Sequence, residues 1–258
     1  MSLLTRCANR VAKQLYPLFE RLGYHLIPIN HASPIPVTKD LTDNHFSTTS
    51  QCVGLDWNRS VQERYLNEVF AKYAPELEPE TGESPGLSLV DTAILHSMIR
   101  HHRPQKIVEI GSGYSTHITA RACTMNDAEG HPSEFQTIDI NPAESVKKGI
   151  PGLTQVVHQR AETIALDQVS DCDLLFIDSS HVVKIGGDVN YQILELVPLL
   201  KRGALVHWHD ILLPGEYWED WVKSDRYFWS EQYLLHAFLK FNSEFEIIWA
   251  SRYMHLNQ

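Results

Sequence analysis

A chain of 258 residues, 43% hydrophobic and 21% charged, has ample material for a packed core and makes one large domain or one domain with an appendage. Its 32 acidic and 22 basic residues leave a net charge of −10, which argues against a general nucleic-acid binder, because neutralising phosphates takes clustered cations. No apolar run approaches the roughly 18 residues of a transmembrane segment. The four cysteines (Cys7, Cys52, Cys123, Cys172) are scattered without a CxxC pair, the pattern of reduced thiols in a cytoplasmic protein.

Residues 1–22 predict an amphipathic helix, with Leu4, Cys7, Val11, Leu15, Leu18 and Leu22 at three- and four-residue spacing and Pro17 as a kink or break. Such a helix packs on its own domain or on a second copy in a homo-oligomer, with a membrane-surface helix as the lesser alternative; it is not a secretory signal, since its apolar residues never run together. Residues 24–49 are irregular, with Ser33-Pro34-Ile35-Pro36 extended, and form either a linker or a lid. A helix is expected over 60–73. The acidic, Pro- and Gly-rich stretch 75–86 is the best internal boundary, separating an N-terminal extension (1–86) from a main domain (87–258).

Beyond it the pattern alternates. A helix over 89–102 precedes a strand at 106–110, a helix over 115–123 and a strand at 135–140. A helix near Pro142, a strand around 153–158 and a short helix after Arg160 follow. Then come a strand at 173–178, a helix over 188–200 ended by Gly203, a strand at 204–207, a helix over 231–241 and a last strand at 245–250. Strand and helix in alternation predict a doubly wound, mostly parallel α/β sheet.

The organising stretch is Lys106 to Thr116. An apolar strand stops at Gly111-Ser112-Gly113, where glycines allow a tight turn and close approach of a ligand, and a helix follows. Glu109, Asp139 and Asp178 end successive strands on one edge of the sheet. Asp139 is placed to accept hydrogen bonds from ribose hydroxyls, which suits NAD, adenosine or S-adenosylmethionine alike. A dinucleotide fingerprint needs a third glycine where Thr116 stands. Glu109 would also repel a pyrophosphate and would suit a ligand bearing an amino group and a sulfonium.

Val108-Glu109-Ile110-Gly111-Ser112-Gly113-Tyr114-Ser115-Thr116 resembles motif I of class I S-adenosylmethionine-dependent methyltransferases. The resemblance continues through Thr137-Ile138-Asp139, Arg160-Ala161-Glu162, Leu175 to His181 and Leu205 to Ile211. It covers about 88–250 and is greatest to the bacterial small-molecule group called methyltransferase family 24, which Ser33 to Pro36 and Phe228 to Leu235 also resemble. It implies a Rossmann-like methyltransferase sheet. Glu109, Gly111, Gly113 and Ser115 would hold the methionine moiety, Asp139 the ribose, and Ala161 and Glu162 would border the adenine, with Ser112, Ile140 and Asp178 also in the cofactor site.

Catechol-type and caffeoyl-CoA-type O-methyltransferases hold a divalent metal at the positions of Asp178, His209 and Asp210. The carboxylates suit Mg²⁺ or Mn²⁺, while His209 opens the site to Mn²⁺, Fe²⁺ or Zn²⁺. His181 stands where those relatives carry a basic lysine and is the expected general base, with Lys184 behind it. Aromatic residues concentrate from Trp208 to Trp229; they are expected in core or interface, or, in an insertion over the ligand edge, lining the acceptor site. The reading is an S-adenosylmethionine-dependent methyltransferase acting on a hydroxyl of a small molecule such as a sugar or secondary metabolite. Alternatives are a metal-independent N- or O-methyltransferase, an NAD-dependent oxidoreductase and a non-catalytic protein of the same fold.

Overall fold

The computed structural model describes residues 3–77 and 86–257, with side chains described at residue 8 and from residue 10 onward. In chain order come α1 (Leu3–Arg21), α2 (Asp43–Ser47), α3 (59–73), α4 (Leu89–His102), β1 (Lys106–Ile110), α5 (Tyr114–Ala128), β2 (Glu134–Asp139) and α6 (Glu144–Lys147). After these follow β3 (Gln155–His158), β4 (Leu174–Ile177), α7 (188–199), β5 (Leu205–Trp208), α8 (Glu219–Lys223), α9 (Glu231–Leu239) and α10 (Ser251–Asn257).

The strands form one sheet in the order β3-β2-β1-β4-β5, every pair parallel. The chain winds outward from β1 through β2 to β3, then crosses back to start β4 on the other side of β1. That reversal opens a crevice between the carboxyl ends of β1 and β4, the place where such sheets bind ligands.

Alternation along the strands explains the two covered faces. Ile107, Phe135, Leu174 and Phe176 pack with Leu95, Ile99 and Ile118 on one side. Val108, Ile110, Leu175 and Ile177 pack with Leu196 and Val197 on the other. Each such side chain removed from water contributes about 1.5–3 kcal/mol. Burial on both faces requires the uninterrupted apolar runs that the sequence shows at β1 and β4. Helix α4 has the expected bounds. Ser88 caps it by accepting from the Asp91 amide at 3.1 Å, and Arg103 ends it in the left-handed conformation before Pro104.

Several expectations are corrected. Residues 245–250 form no strand, and among the described residues the sheet has five. Trp249 instead packs edge-on against Phe70 at 4.6 Å, Phe245 against Phe238 at 5.1 Å, and the Ala250 amide donates to Gln62 Oε1 at 2.8 Å. A glutamine side chain thus takes the bond a neighbouring strand would have made. Helix α1 runs through Pro17 without a break. Helix α7 stops at Leu199, and Gly203, at φ +85°, belongs to the turn after it.

Two compact units are present, Met1–Thr48 with Tyr217–Phe228 and Thr49–Glu216 with Trp229–Gln258. The division differs from a boundary near residue 86, and residues 78–85 of that stretch lie outside the described residues. Within the second unit, Tyr65, Val69 and Phe70 of α3 pack against Ile94 of α4. In the first unit, the chain turns back after α1 at Gly23, and the Tyr16 hydroxyl meets His25 Nδ1 at 2.9 Å. Val11, Leu15, Leu18 and Leu22 of the α1 stripe are exposed, while Leu4 and Cys7 lie outside the described side chains. Cys52, Cys123 and Cys172 are buried and unbridged. Among the described residues no helix is long and apolar enough to cross a membrane.

Candidate active site

The turn after β1 is built from backbone and hydroxyl bonds. Gly111 stands at φ +89°, and a Cβ there would lie 1.7 Å from the carbonyl oxygen of Asp178, so the turn presses directly against the end of β4. Gly113 differs. A Cβ placed on it meets nothing within 4 Å, so its missing side chain leaves open room and relieves no clash within the protein. Ser112 donates both its amide and its hydroxyl to Asp139 Oδ2, each at 2.7 Å, and the Asn141 amide donates to Oδ1 at 2.6 Å. Asp139 is thereby fixed at the end of β2, beside the turn.

Glu109 is fully buried. Its neighbours Ile107 and Phe176 face α5, so its carboxylate meets the first turn of that helix, where Ser115 and Thr116 hydroxyls donate to it at 2.7 Å each. It stands behind those hydroxyls and not on an open wall. Thr116, at the place of the third dinucleotide glycine, explains itself: its hydroxyl oxygen also accepts the Gly113 amide at 3.0 Å and ties the turn to Glu109.

Burial pushes the Glu109 carboxyl up to about 7 against the pull of the Ser115 and Thr116 hydrogen bonds. A cation bound at the turn favours the ionised form, so binding below pH 7 must release a proton. Affinity for S-adenosylhomocysteine, whose amino group is cationic, should therefore rise by up to about tenfold per pH unit below pH 7 and level off above it. Calorimetric titration from pH 6 to 8.5 reads this, and Glu109→Gln should flatten the profile. A flat wild-type profile would remove the coupling.

Beyond β2, Ile140 is exposed. Ala161 and Glu162 lie in a short 3-10 turn after β3, with Glu162 Oε1 held 2.5 Å from the Arg160 guanidinium. Since β3 pairs with β2 through Asp139 and His158, these residues and Asp139 share the same edge.

At the ends of β4 and β5 four donors converge. His181 Nε2 lies 3.1 Å from Asp178 Oδ1 and 3.7 Å from Asp210 Oδ2. His209 Nδ1 lies 3.6 Å from Asp178 Oδ1 and 3.3 Å from Asp210 Oδ2. Donors about 2.1 Å from one ion stand about 3.0–3.4 Å apart at octahedral or tetrahedral angles; the 3.1 and 3.3 Å pairs fall in that range, and the 3.6 and 3.7 Å pairs lie just beyond it. Asp178, His181 and Asp210 form the group whose ligand atoms all lie within 4.8 Å of one another. This shifts the set expected from sequence, Asp178, His209 and Asp210, by bringing His181 in. His209 stays beside both carboxylates, and its buried Nδ1 makes no hydrogen bond of good geometry. His181 and Asp210 both hold left-handed backbone conformations, φ +56° and +57°, of the strained kind that clusters at functional sites.

The electrostatics revise the role of His181. Burial alone would lower its pKa, but Asp178 on Nε2 and Glu231 on Nδ1 outweigh burial and carry it to about 9. The same two opposing effects, with Asp178 and Asp210 as partners, bring His209 to about 10. Asp178 is buried, which opposes ionisation, yet the two imidazoles hold it well below the usual carboxylate range. With no ion in the cluster a protonated His181 has no lone pair to offer, and an ion held there would displace the Nε2 proton and take that lone pair, so in neither case does His181 fit the part of general base at neutral pH. Lys184 Nζ lies 4.0 Å from Asp188 Oδ1. Of the aromatic run, Trp229 reaches the site, its ring 4.4 Å from that of His181. Glu231 was not singled out from the sequence. Its signal there was faint: a glutamate opening a helix in the segment with Phe228 to Leu235.

The model of a methyltransferase domain family, family 24, matches residues 108–211, from β1 through the Asp210 loop. An uncharacterized protein of Archaeoglobus fulgidus is 29% identical over 170 residues, covering 59% of this chain and 72% of its own. Methyltransferase grgD of a Penicillium species is 24% identical over 157 residues, 53% of this chain, and this match takes in about half, 48%, of the fungal protein. Among solved structures, the O-methyltransferase TomG of Streptomyces achromogenes aligns at 20% identity and TM-score 0.39, covering 71% of this chain and 82% of TomG. Podospora anserina methyltransferase PaMTH1 aligns at 17% and 0.36, covering 61% and 73%. Residues 108–211, which carry the glycine turn and the strand-end acids of this parallel sheet, thus match a methyltransferase domain of family 24.

Proposed function

We propose that this protein methylates a hydroxyl group of a small molecule, with a divalent metal held by Asp178, His181 and Asp210 and flanked by His209. The convergence of these four donors beside the glycine turn carries the reading. The donor set fits such an ion: two imidazoles with two carboxylates favour Mn²⁺, Fe²⁺ or Zn²⁺ over Mg²⁺. When bound, the ion would supply Lewis-acid lowering of the acceptor hydroxyl's pKa.

The chain's own residues do the rest. Ser112, Gly113 and Ser115 orient the methionine end of the donor, Asp139 the ribose, and Ala161 with Glu162 border the adenine. Room over Gly113 lets the donor backbone lie close. The hydroxyl oxygen attacks the methyl carbon in line, the carbon–sulfur bond breaks with its electron pair going to sulfur, and the products are the methyl ether and S-adenosylhomocysteine. Asp210, one oxygen turned to the cluster, takes the hydroxyl proton on the other. Holding oxygen and methyl about 3–3.5 Å apart and aligned supplies most of the advantage.

Transfer from labelled S-adenosylmethionine to a panel of hydroxylated sugars and phenols, with and without EDTA, tests the reading. Turnover should fall at least about a hundredfold in chelator and return with Mn²⁺. Full activity in EDTA would favour a second reading, in which the two protonated histidines already neutralise Asp178 and Asp210 and the enzyme needs no metal.

A further inference from the structure

His181 is gripped from one direction by the start of α9. Its carbonyl oxygen accepts the Ser230 amide at 2.8 Å and the Glu231 amide at 3.0 Å. The Val183 amide donates to Ser230 Oγ at 2.8 Å, and Trp229 lies on the imidazole. On the far side of the ring from the carboxylates, Nδ1 meets Glu231 Oε2 at 2.8 Å. Glu231 itself has no exposed surface, and its Oε1 has no hydrogen-bond partner. A carboxylate buried this deeply is costly unless it is paired, and the Oε2 of Glu231 is paired with the His181 imidazole.

The chemistry of this arrangement is specific. An imidazole can turn a lone pair toward a ligand on one nitrogen only if the other nitrogen carries the proton. An acceptor fixed on Nδ1 decides which nitrogen that is, and a carboxylate also makes the ring a stronger donor. Backbone bonds from Ser230 and Glu231 hold the residue in its left-handed conformation, so ring and main chain are both set from the start of α9.

We propose that Glu231 is the positioning residue that fixes the His181 tautomer, holding the proton on Nδ1 and pointing Nε2 at the space between Asp178 and Asp210 so that the cluster takes a transition ion. This rests on the metal reading above. Glu231 touches neither donor nor acceptor; it acts through His181.

Titration of the purified protein with Mn²⁺, reading free ion by electron paramagnetic resonance, tests it. Glu231→Leu, which keeps the bulk and removes the acceptor, should weaken Mn²⁺ binding about 10–100-fold. Glu231→Gln can still accept from Nδ1 and should recover most of that loss, which a merely structural defect would not predict. If Glu231→Leu does not fold, Glu231→Asp, one methylene shorter, should show at least about a tenfold loss. Wild-type affinity in Glu231→Leu, or in Glu231→Asp where it stands in, would overturn this proposal alone. No Mn²⁺ binding by the wild-type protein would overturn it together with the metal reading, while S-adenosylhomocysteine binding would still report the methyltransferase site.

Discussion

Asp178→Asn should reduce methyl transfer by more than about a thousandfold, the scale of losing a preorganised electrostatic group at the reacting atoms. Asp178 Oδ1 faces both imidazoles, 3.1 Å from His181 Nε2 and 3.6 Å from His209 Nδ1. With the amide in its place, Asp210 still faces both histidines and Glu231 still faces His181, but each ring has lost one of the carboxylates that favoured its charged form. Both should then lose affinity for the proton, and the cluster loses one of its anionic donors. Asparagine is the better test than alanine, because truncating one partner of a buried ion pair costs about 3–5 kcal/mol in stability and would confuse lost folding with lost chemistry. The main-chain role survives in either variant, since the Asp178 amide donates to Ile110 O at 2.9 Å. Circular dichroism should be unchanged, S-adenosylhomocysteine should still bind, and Mn²⁺ affinity should fall. Turnover within tenfold of wild type would move the reacting atoms away from Asp178.

The same residue shows what the sequence made legible. Asp178 ends an apolar run that is buried on both faces, and a strand of that kind can only be central and parallel, so its place at the ligand edge followed from periodicity. Glu109 and Asp139 were legible for the same reason, each closing a strand next to a glycine or a turn. The histidines were harder. His209 follows β5 directly, and adjacency on the chain suggested that it belongs with Asp210. His181 lies four residues beyond the end of β4, where its left-handed backbone turns the ring toward the carboxylates. No residue type announces such a conformation with certainty, although His and Asp tolerate it better than most. Glu231 comes 50 residues after the ring it holds. Pairing at that range is decided by how α9 docks on the loop after β4, which no local pattern encodes. The run 245–250 misled in the opposite sense. Its apolar residues satisfy a strand pattern, but they are spent on α3 and α9, and Gln62 answers the backbone.

Gly111→Ala and Gly113→Ala should part company, and the contrast separates folding from binding. At Gly111 the new methyl would sit 1.7 Å from the Asp178 carbonyl oxygen, a main-chain atom that cannot swing aside, at a backbone φ of +89° that L side chains rarely adopt. The left-handed region costs about 1–2 kcal/mol for a residue with a Cβ, and overpacking of this severity adds about 1–3 kcal/mol or more. Thermal unfolding should therefore report a loss above about 2 kcal/mol. Because β1 and β4 are pushed apart where the cofactor turn meets Asp178, binding and metal affinity should fail together. Gly113 is extended, and the same methyl would touch no atom of the protein within 4 Å. Its unfolding temperature should stay close to wild type. Affinity for S-adenosylhomocysteine should nevertheless drop by about tenfold or more, since one displaced contact of about 1.4 kcal/mol is already a factor of ten. If Gly113→Ala binds as tightly as wild type, the space above that residue is not where the methionine end of the donor lies. The turn would then serve only to pack β1 against β4, and the room over it would need another occupant.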